Sequence, residues 1–281
     1  MSTELLEAMR AADRGVPAEL EVFDRVAATG EPRPDFFELS VRAGGAFVPN
    51  RLTYYFDVHR RGAAVAREAG ARFVRLAAEL GVTLPAALLS FVSSDAPGEG
   101  PVLQVVLGIE APSAGQSVRA KYYLVFRDNP GRRVRELLAS LELEPTGGSD
   151  PDKVYILGCD ATPAGLEDVK LYFRLQGAVV PKLVENVGEV ADLLRGSRDV
   201  VFQQCTRRPA RRQLYLHVSD TAVLTEWLAR RGLDAALGRA RRINERLRGL
   251  RVDPWIVSWP YEGRRVTVES PTLYLHLARE A

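Results

Sequence analysis

The chain has 281 residues, 46% of them hydrophobic and 26% charged, which is typical of a globular protein that folds in water. Its net charge of +2 provides no overall positive field, so we expect no nucleic-acid binding. Cys159 and Cys205 are too few for a disulfide framework, and no apolar run approaches the ~20 residues of a membrane-spanning helix. Because no secretory signal is visible either, we expect a cytoplasmic protein that does not act at membranes.

Apolar periodicity predicts ten strands, grouped in five antiparallel pairs along the chain. The pairs are residues 36–43 with 51–58, 102–110 with 118–127, 152–160 with 168–175, 199–206 with 211–219, and 254–260 with 265–278. Helices are predicted over residues 1–14, 62–80, 84–93, 130–142, 180–195 and 221–249. The Gly- and Pro-rich segments are short and fit loops better than linkers, so we predict a single domain over residues 1–281.

The second strand of each pair has one apolar and one polar face, because successive strand residues point to opposite sides. In the first of these strands the apolar face carries Leu52, Tyr54 and Phe56, and the later strands follow the same pattern. The polar faces collect five cations and five tyrosines: Arg51, Arg119, Lys121, Lys170 and Arg174, with Tyr55, Tyr123, Tyr172, Tyr215 and Tyr274. The recurring unit is a Lys/Arg-x-Tyr triplet.

Hairpins joined by helices must bury their apolar faces under those helices. Closing ten antiparallel strands removes the sheet edges and encloses a lumen broad enough for a ligand. We therefore predict an α+β fold, a closed ten-stranded antiparallel barrel of five ααββ-type units inside an outer ring of helices. A parallel eight-stranded barrel needs a helix after every strand, and here a short turn usually follows the first strand of a pair. An open sheet with helices on one face remains the alternative, and it would leave the polar faces in water.

Inside such a barrel the cations would converge beside few carboxylates, since Glu38 and Asp57 alone are expected there. Burying unpaired cations is very costly, so an anionic ligand is predicted. A diphosphate suits them because arginine and lysine bind phosphate oxygens through charge-assisted hydrogen bonds. Tyrosine rings stabilise a nearby cation by ~0.5–2 kcal/mol each and exclude water. Together these groups predict a site that ionises an allylic diphosphate.

Other residues are weaker candidates for the lumen. Lys153 and Tyr155 belong to a third Lys-x-Tyr triplet, for which lumen and surface are equally favoured. His217 and His276 each follow a tyrosine by two positions, and hydrogen bonding is favoured over metal binding, so we predict no metal site. Trp255 and Trp259 share a strand phase, and they are equally compatible with lining a substrate pocket or packing in the core.

Missing motifs narrow the chemistry further. The sequence has no Gly-rich phosphate loop, no GxGxxG after a strand, no HExxH, no GxSxG and no Asp-rich box. Protein cations must therefore supply most of the charge for a diphosphate. We expect no organic cofactor and leave open whether Mg²⁺ accompanies the diphosphate donor.

Several short segments carry a resemblance that extends over most of the chain. They are Phe37-Glu38-Leu39-Ser40 with Asn50-Arg51-Leu52, Ser117-Val118-Arg119-Ala120-Lys121, Leu214-Tyr215-Leu216-His217 and Pro254-Trp255-Ile256-Val257. In this order they resemble the ABBA prenyltransferases, and most of all the cyanobactin-type peptide prenyltransferases. The resemblance implies that Glu38 is the base and that Arg51, Lys121 and Lys170 hold the diphosphate. Gln213 and Thr272 replace cations of the triplets, which leaves the pose of the donor open.

The resemblance implies a monomeric transferase that moves a dimethylallyl or geranyl group from its diphosphate to a peptide or an aromatic small molecule. Glu38 would take the proton of the acceptor. A salt bridge from Glu38 to Arg51 or Arg42 is the alternative. A non-catalytic barrel that binds an anionic amphiphile, as a carrier or sensor, needs the same cations and no base. An RNA-binding sheet is disfavoured by the small net charge.

Overall fold

A computed structural model of the chain describes residues 6–7, 16–42, 47–93, 102–111, 117–128, 130–145, 149–176, 179–233, 238, 245 and 250–279. The strands of the described residues are β1 Phe36–Arg42, β2 Phe47–Asp57, β3 Val102–Glu110, β4 Arg119–Phe126, β5 Val154–Thr162, β6 Gly165–Leu175, β7 Ser197–Cys205, β8 Arg212–Val218, β9 Leu250–Glu262, the short β10 Arg265–Val266 and β11 Thr272–Arg279. All of them except β10 close into one antiparallel barrel, in the order β9-β11-β1-β2-β3-β4-β5-β6-β7-β8 with β8 pairing back to β9. The predicted closed barrel is confirmed, and the open sheet and the parallel barrel are wrong.

Helices lie between the hairpins and cover the outside of the barrel. They are α1 Ala18–Ala28, α2 Val58–Arg61, α3 Ala63–Glu79, α4 Ala86–Ser93, α5 Gly131–Ser140, α6 Val180–Leu183, α7 Ala191–Arg195 and α8 Thr221–Ala229. Our prediction missed α1, although Leu20, Phe23 and Ala27 recur at helical spacing and are fully buried. Among the described residues, no helix is both long enough and apolar enough to pass through a bilayer.

The apolar strand faces and the helices form one hydrophobic layer around the barrel. Phe23 packs on Tyr54 with ring centroids 4.7 Å apart. Phe73 packs on Tyr122 at 5.1 Å in the same way. Burying side chains of this size is worth ~1.5–3 kcal/mol each, so the apolar phase fixes which strand face points outward. The polar phase is left to line the lumen.

Two predicted elements differ from the structure, and two others lie largely or partly outside the described residues. The predicted strand 265–278 is divided into a two-residue strand β10, Arg265–Val266, and β11, because a turn intervenes and Pro271 has no amide hydrogen for a ladder bond. The predicted helix 180–195 is broken into α6, a 3-10 turn Val187–Val190 and α7. Most of the predicted helix 1–14, and residues 234–249 of the last one apart from 238 and 245, lie outside the described residues.

Trp255 sits at an irregularity in β9. The pairing of β9 with β11 runs from Tyr274 opposite Ile256 directly to Leu275 opposite Pro254, so one residue of β9 is extra. This bulge turns Trp255 into the lumen, whereas Trp259 is fully buried on the outer side, 5.5 Å from the Trp227 ring. The prediction that the two tryptophans share a phase is therefore wrong.

Two glycines in the strands make room for lumen side chains. Gly108 lies opposite Lys121, and a β-carbon there would stand 3.3 Å from Cβ of Lys121. Gly158 lies opposite Tyr123, and a β-carbon there would stand 2.6 Å from two atoms of its ring. Gly158 therefore needs to be glycine because the Tyr123 ring crosses the backbone there, and at Gly108 the approach of Lys121 leaves little room for a larger residue.

Substituting alanine for Gly158 tests this packing. We expect a loss of unfolding free energy of ~1–3 kcal/mol, since Tyr123 would have to leave its place against Tyr172. Urea denaturation measures it, with Gly188→Ala as the control because no atom lies within 4 Å of a β-carbon there. Equal stability of the two variants would contradict the close fit.

Candidate active site

The barrel encloses a cavity of about 500 Å³ that reaches the surface beside Arg60 and Arg198. Polar-phase side chains from strands all around the barrel form its wall. Those that the sequence singled out are Glu38, Arg51, Tyr55, Lys121, Tyr123, Tyr155, Lys170, Tyr172, Tyr215, His217, Trp255, Tyr274 and His276. The cavity therefore combines a cationic part, a tyrosine part and one buried glutamate.

Arg51, Lys121 and Lys170 form a compact cluster, which we call the cation cluster. Glu110 binds two of them, with its carboxylate 3.0 Å from Arg51 and 2.6 Å from Lys121. Asp160 accepts a hydrogen bond from Lys170 and lies 3.6 Å from Lys121. The expectation of few carboxylates beside these cations is wrong, because the register of the hairpins places acidic residues of β3 and β5 next to them.

The two carboxylates are ionised and stand behind the cations. Although burial alone would raise their pKa values, Lys121 with Arg51 holds the pKa of Glu110 well below its usual range, and Lys121 with Lys170 does the same for Asp160. Arg51, Lys121 and Lys170 line the cavity, whereas neither carboxylate does. An anion in the cavity would meet ammonium and guanidinium groups first.

Tyr123, Tyr172, Tyr215 and Tyr274 form a continuous tyrosine wall beside the cation cluster. Ring centroids are 6.3, 5.7 and 5.8 Å apart along this sequence of four. Burial raises the pKa of Tyr123, Tyr172 and Tyr215 well above the ordinary value, so these rings stay neutral. Tyr274 also accepts a hydrogen bond from Arg51 at 3.2 Å, which joins the wall to the cation cluster. The faces of these neutral rings are suited to stabilise an electron-poor carbon of a ligand that binds beside the cation cluster.

Glu38 is 5% exposed and is held by two aromatic donors. The Tyr55 hydroxyl and the Trp255 indole N–H donate to the same carboxylate oxygen, at 3.0 and 3.1 Å. Burial raises the pKa of Glu38 to about 7, against the opposing effects of Tyr55, Trp255 and Arg51. None of the described ion pairs joins Glu38 to Arg51, which pairs with Glu110 instead. Near neutral pH the carboxyl group can therefore both take and give a proton.

Replacing Trp255 by phenylalanine removes one of the donors to Glu38. Because that hydrogen bond favours the carboxylate, we expect the pKa of Glu38 to rise further above about 7. A ¹³C NMR titration of the glutamate carboxyl carbons measures it. The control is Trp259→Phe, on the same strand but outside the lumen. An unchanged titration of Glu38 in Trp255→Phe would show that the indole does not tune it.

Three other predicted cations do not belong to the cation cluster. Arg119 forms ion pairs with Glu167 and Glu110 and does not line the cavity. Arg174 is half-exposed, pairs with Asp199 at 3.1 Å and lies 4.0 Å from the Tyr155 ring centre. Lys153 is exposed near Asp150, so the structure places it at the surface. Strand alternation assigned Arg119 and Arg174 to the lumen face, but it does not give the position of a side chain along the barrel axis.

The two histidines line the cavity together with an aromatic group around Trp255. Phe36 stacks on Tyr55 at 4.1 Å, and the His276 and His217 rings lie 5.0 and 5.7 Å from Trp255. Burial lowers the pKa of His217 to about 4, so the ring is neutral. Among the described residues, no three His, Cys, Asp or Glu side chains are grouped so that they could hold a metal ion.

The chain is similar in structure to 5-dimethylallyltryptophan synthase from Streptomyces coelicolor. The TM-score is 0.62 at 19% sequence identity, and the match covers 99% of this chain and 96% of that chain. At this identity the likeness shows the fold, the barrel of the ABBA prenyltransferases. Neither a family model nor a curated protein sequence matches the chain.

Sequence reasoning missed polar residues in and behind the wall of the lumen. Glu110 and Asp160 lie on first strands, whereas the predicted cationic faces belong to second strands. Gln203, also on a first strand, accepts a hydrogen bond from the Tyr215 hydroxyl at 2.8 Å. The same hydroxyl lies 2.6 Å from Gln213, the residue that the sequence identified in the place of a cation. The signal was present for Glu110, because Gln104, Val106, Gly108 and Glu110 alternate with buried apolar residues of β3.

Proposed function

We propose that this protein is an aromatic prenyltransferase that moves a dimethylallyl or geranyl group from its diphosphate to an aromatic small molecule. The observation that carries the proposal is that the cation cluster, the tyrosine wall and Glu38 line one cavity inside the barrel. The fold of a dimethylallyltryptophan synthase supports the same reading, and it favours an aromatic acceptor over the peptide that the sequence resemblance also allowed. The cyanobactin-type relationship has no further support.

The donor would bind with its diphosphate on Arg51, Lys121 and Lys170 and its prenyl chain along the tyrosine wall. Breaking the C1–O bond leaves the electron pair on the diphosphate, whose growing charge these cations stabilise. The allylic cation lies against neutral tyrosine rings, which stabilise it and keep water away. A nucleophilic atom of the acceptor then bonds to C1, and Glu38 takes the proton that the acceptor loses.

A transfer assay with dimethylallyl diphosphate tests the proposal. The acceptors are tryptophan, tyrosine and a short tryptophan-containing peptide, with and without Mg²⁺ because the sequence left the metal requirement open. We expect a prenylated aromatic product and free diphosphate by mass spectrometry. Isopentenyl diphosphate is the control, since it is not allylic and cannot form the stabilised cation.

The carrier alternative predicts a different result. A carrier would bind dimethylallyl diphosphate tightly, give no product with any acceptor and never break the C1–O bond. Breaking of the C1–O bond can be followed without knowing the acceptor. When the bond breaks and re-forms, an ¹⁸O label at the oxygen bonded to C1 exchanges with the non-bridging oxygens of the same phosphate group. Binding without either product or exchange would overturn the proposed activity.

A further inference from the structure

Two carboxylates, the buried Asp160 and the partly buried Glu110, stand on the far side of the cation cluster from the cavity. Glu110 contacts Lys121, Arg51 and also Arg119, at 2.6, 3.0 and 3.4 Å. Asp160, 1% exposed, contacts Lys170 and Lys121. Neither lines the cavity. These residues are therefore placed to act on the cations rather than on a ligand.

Lys121 is the most constrained member of the cluster. Arg51 on β2 and Lys170 on β6 face it with like charge, while Glu110 on β3 and Asp160 on β5 face it with opposite charge. Its side chain is 2% exposed, so water does little to stabilise the ammonium form. Burial and Arg51 lower the pKa of Lys121 to about 8, and the two carboxylates oppose that fall. Without them the ammonium group would stand buried between two cations.

We propose that Glu110 and Asp160 are positioning residues that keep Lys121 charged and aim the cation cluster at an anionic ligand. The identity of that ligand as a diphosphate rests on the proposed function. In this arrangement the carboxylates supply the counter-charge without occupying the ligand site. Three cations can therefore line one cavity while the free protein stays folded.

The affinity of the cation cluster for diphosphate should depend on pH through the charge of Lys121. Lys121 carries its charge below its pKa and loses it as pH rises through about 8, so diphosphate binding should weaken through that range. Removing either carboxylate lowers the pKa of Lys121, which moves the weakening to lower pH. A purely structural carboxylate would change stability but would leave the midpoint of this pH dependence in place.

The test is calorimetric titration of inorganic diphosphate, between about pH 6 and about pH 10, into the wild type, Asp160→Asn and Glu110→Gln. The probe's own protonation is the same for every protein and cancels in the comparison. At the acidic end, where Lys121 is charged, we expect both variants to bind at least as well as wild type because one negative charge is gone, and near pH 8 about tenfold or more weaker. Glu167→Gln is the control, since Glu167 pairs with Arg119 and Arg208 rather than with the lysines. An unchanged midpoint in both carboxylate variants would overturn the proposal.

A second readout does not depend on any ligand. The side-chain ¹⁵N resonance of Lys121, assigned by comparison with Lys121→Met, reports its ionisation directly and should titrate at lower pH in the carboxylate variants. If wild type does not bind diphosphate, the proposed function fails, and this titration still decides the role of the carboxylates. Should Asp160→Asn not fold, Glu110→Gln carries both measurements.

Discussion

We expect the Glu38→Gln variant to transfer the prenyl group ~10²–10⁴-fold more slowly than wild type while binding the donor with the same Kd. Glu38 forms its hydrogen bonds with Tyr55 and Trp255, and none of its described contacts is with Lys121 or Lys170. The change removes a proton acceptor with little change in side-chain shape, and it leaves the ion pairs of the cation cluster with Glu110 and Asp160 in place. Single-turnover rates and donor titrations on the same preparation separate the two effects. Full transfer activity in this variant would leave Glu38 a structural partner only.

The same variant has a control that needs no substrate. The folded-state pKa of Glu38 is raised from 4.5 to about 7, so its protonated form favours folding. That contribution is fully present below about pH 4.5 and is lost as pH rises through about 7. Relative to Glu38→Gln, the wild type should lose roughly 3 kcal/mol of unfolding free energy across this range. A constant difference would show that Glu38 does not titrate near neutrality.

The second large effect is expected at the two lysines of the cation cluster. Replacing Lys121 or Lys170 with methionine removes a charge-assisted contact worth ~1.5–3 kcal/mol, so dimethylallyl diphosphate should bind about 10- to 150-fold more weakly. The lost charge also leaves Glu110 or Asp160 with fewer partners, which adds repulsion toward the diphosphate. Isothermal titration below pH 8 measures the affinity while the wild-type Lys121 is charged.

Lys153→Met is the matched control for the lysine variants. Lys153 belongs to the same Lys-x-Tyr pattern, but the structure places it on the surface beside Asp150. We expect this variant to bind the donor as wild type does. Unchanged affinity in both Lys121→Met and Lys170→Met would count decisively against the cation cluster as the diphosphate site.

Most of the predicted cavity lining follows from the alternation of side chains along each strand. The apolar residues of β2, β4, β6, β8 and β11 had to face the helices, so the opposite phase had to face inward. That reasoning placed Lys121, Lys170 and the tyrosine wall correctly around one cavity. It succeeded because side chains alternate between the two faces of a strand, so a strand that packs its apolar face against the helices must turn its other face to the lumen.

Other features depend on information that a single sequence does not hold. Alternation gives the face of a side chain but not its height, so Arg174 was placed with Lys170 although it lies near the exposed end of β6. The bulge at Trp255 changes the phase within β9, and although Pro254 beside it is typical of a bulge, the sequence does not say which residue is extra. The alternation of β3 gives the face on which Glu110 lies, but its pairing with Arg51 depends on the register between neighbouring strands.

The central claim is that the cavity holds an allylic diphosphate with its charged end on the cation cluster and its chain along the tyrosine wall. A crystal structure with the thiolo analogue of dimethylallyl diphosphate, which resists ionisation, tests it most directly. We predict diphosphate oxygens within hydrogen-bonding distance of Arg51, Lys121 and Lys170, and the prenyl carbons against the tyrosine rings. An analogue bound outside the barrel, or with its diphosphate away from these cations, would contradict the account.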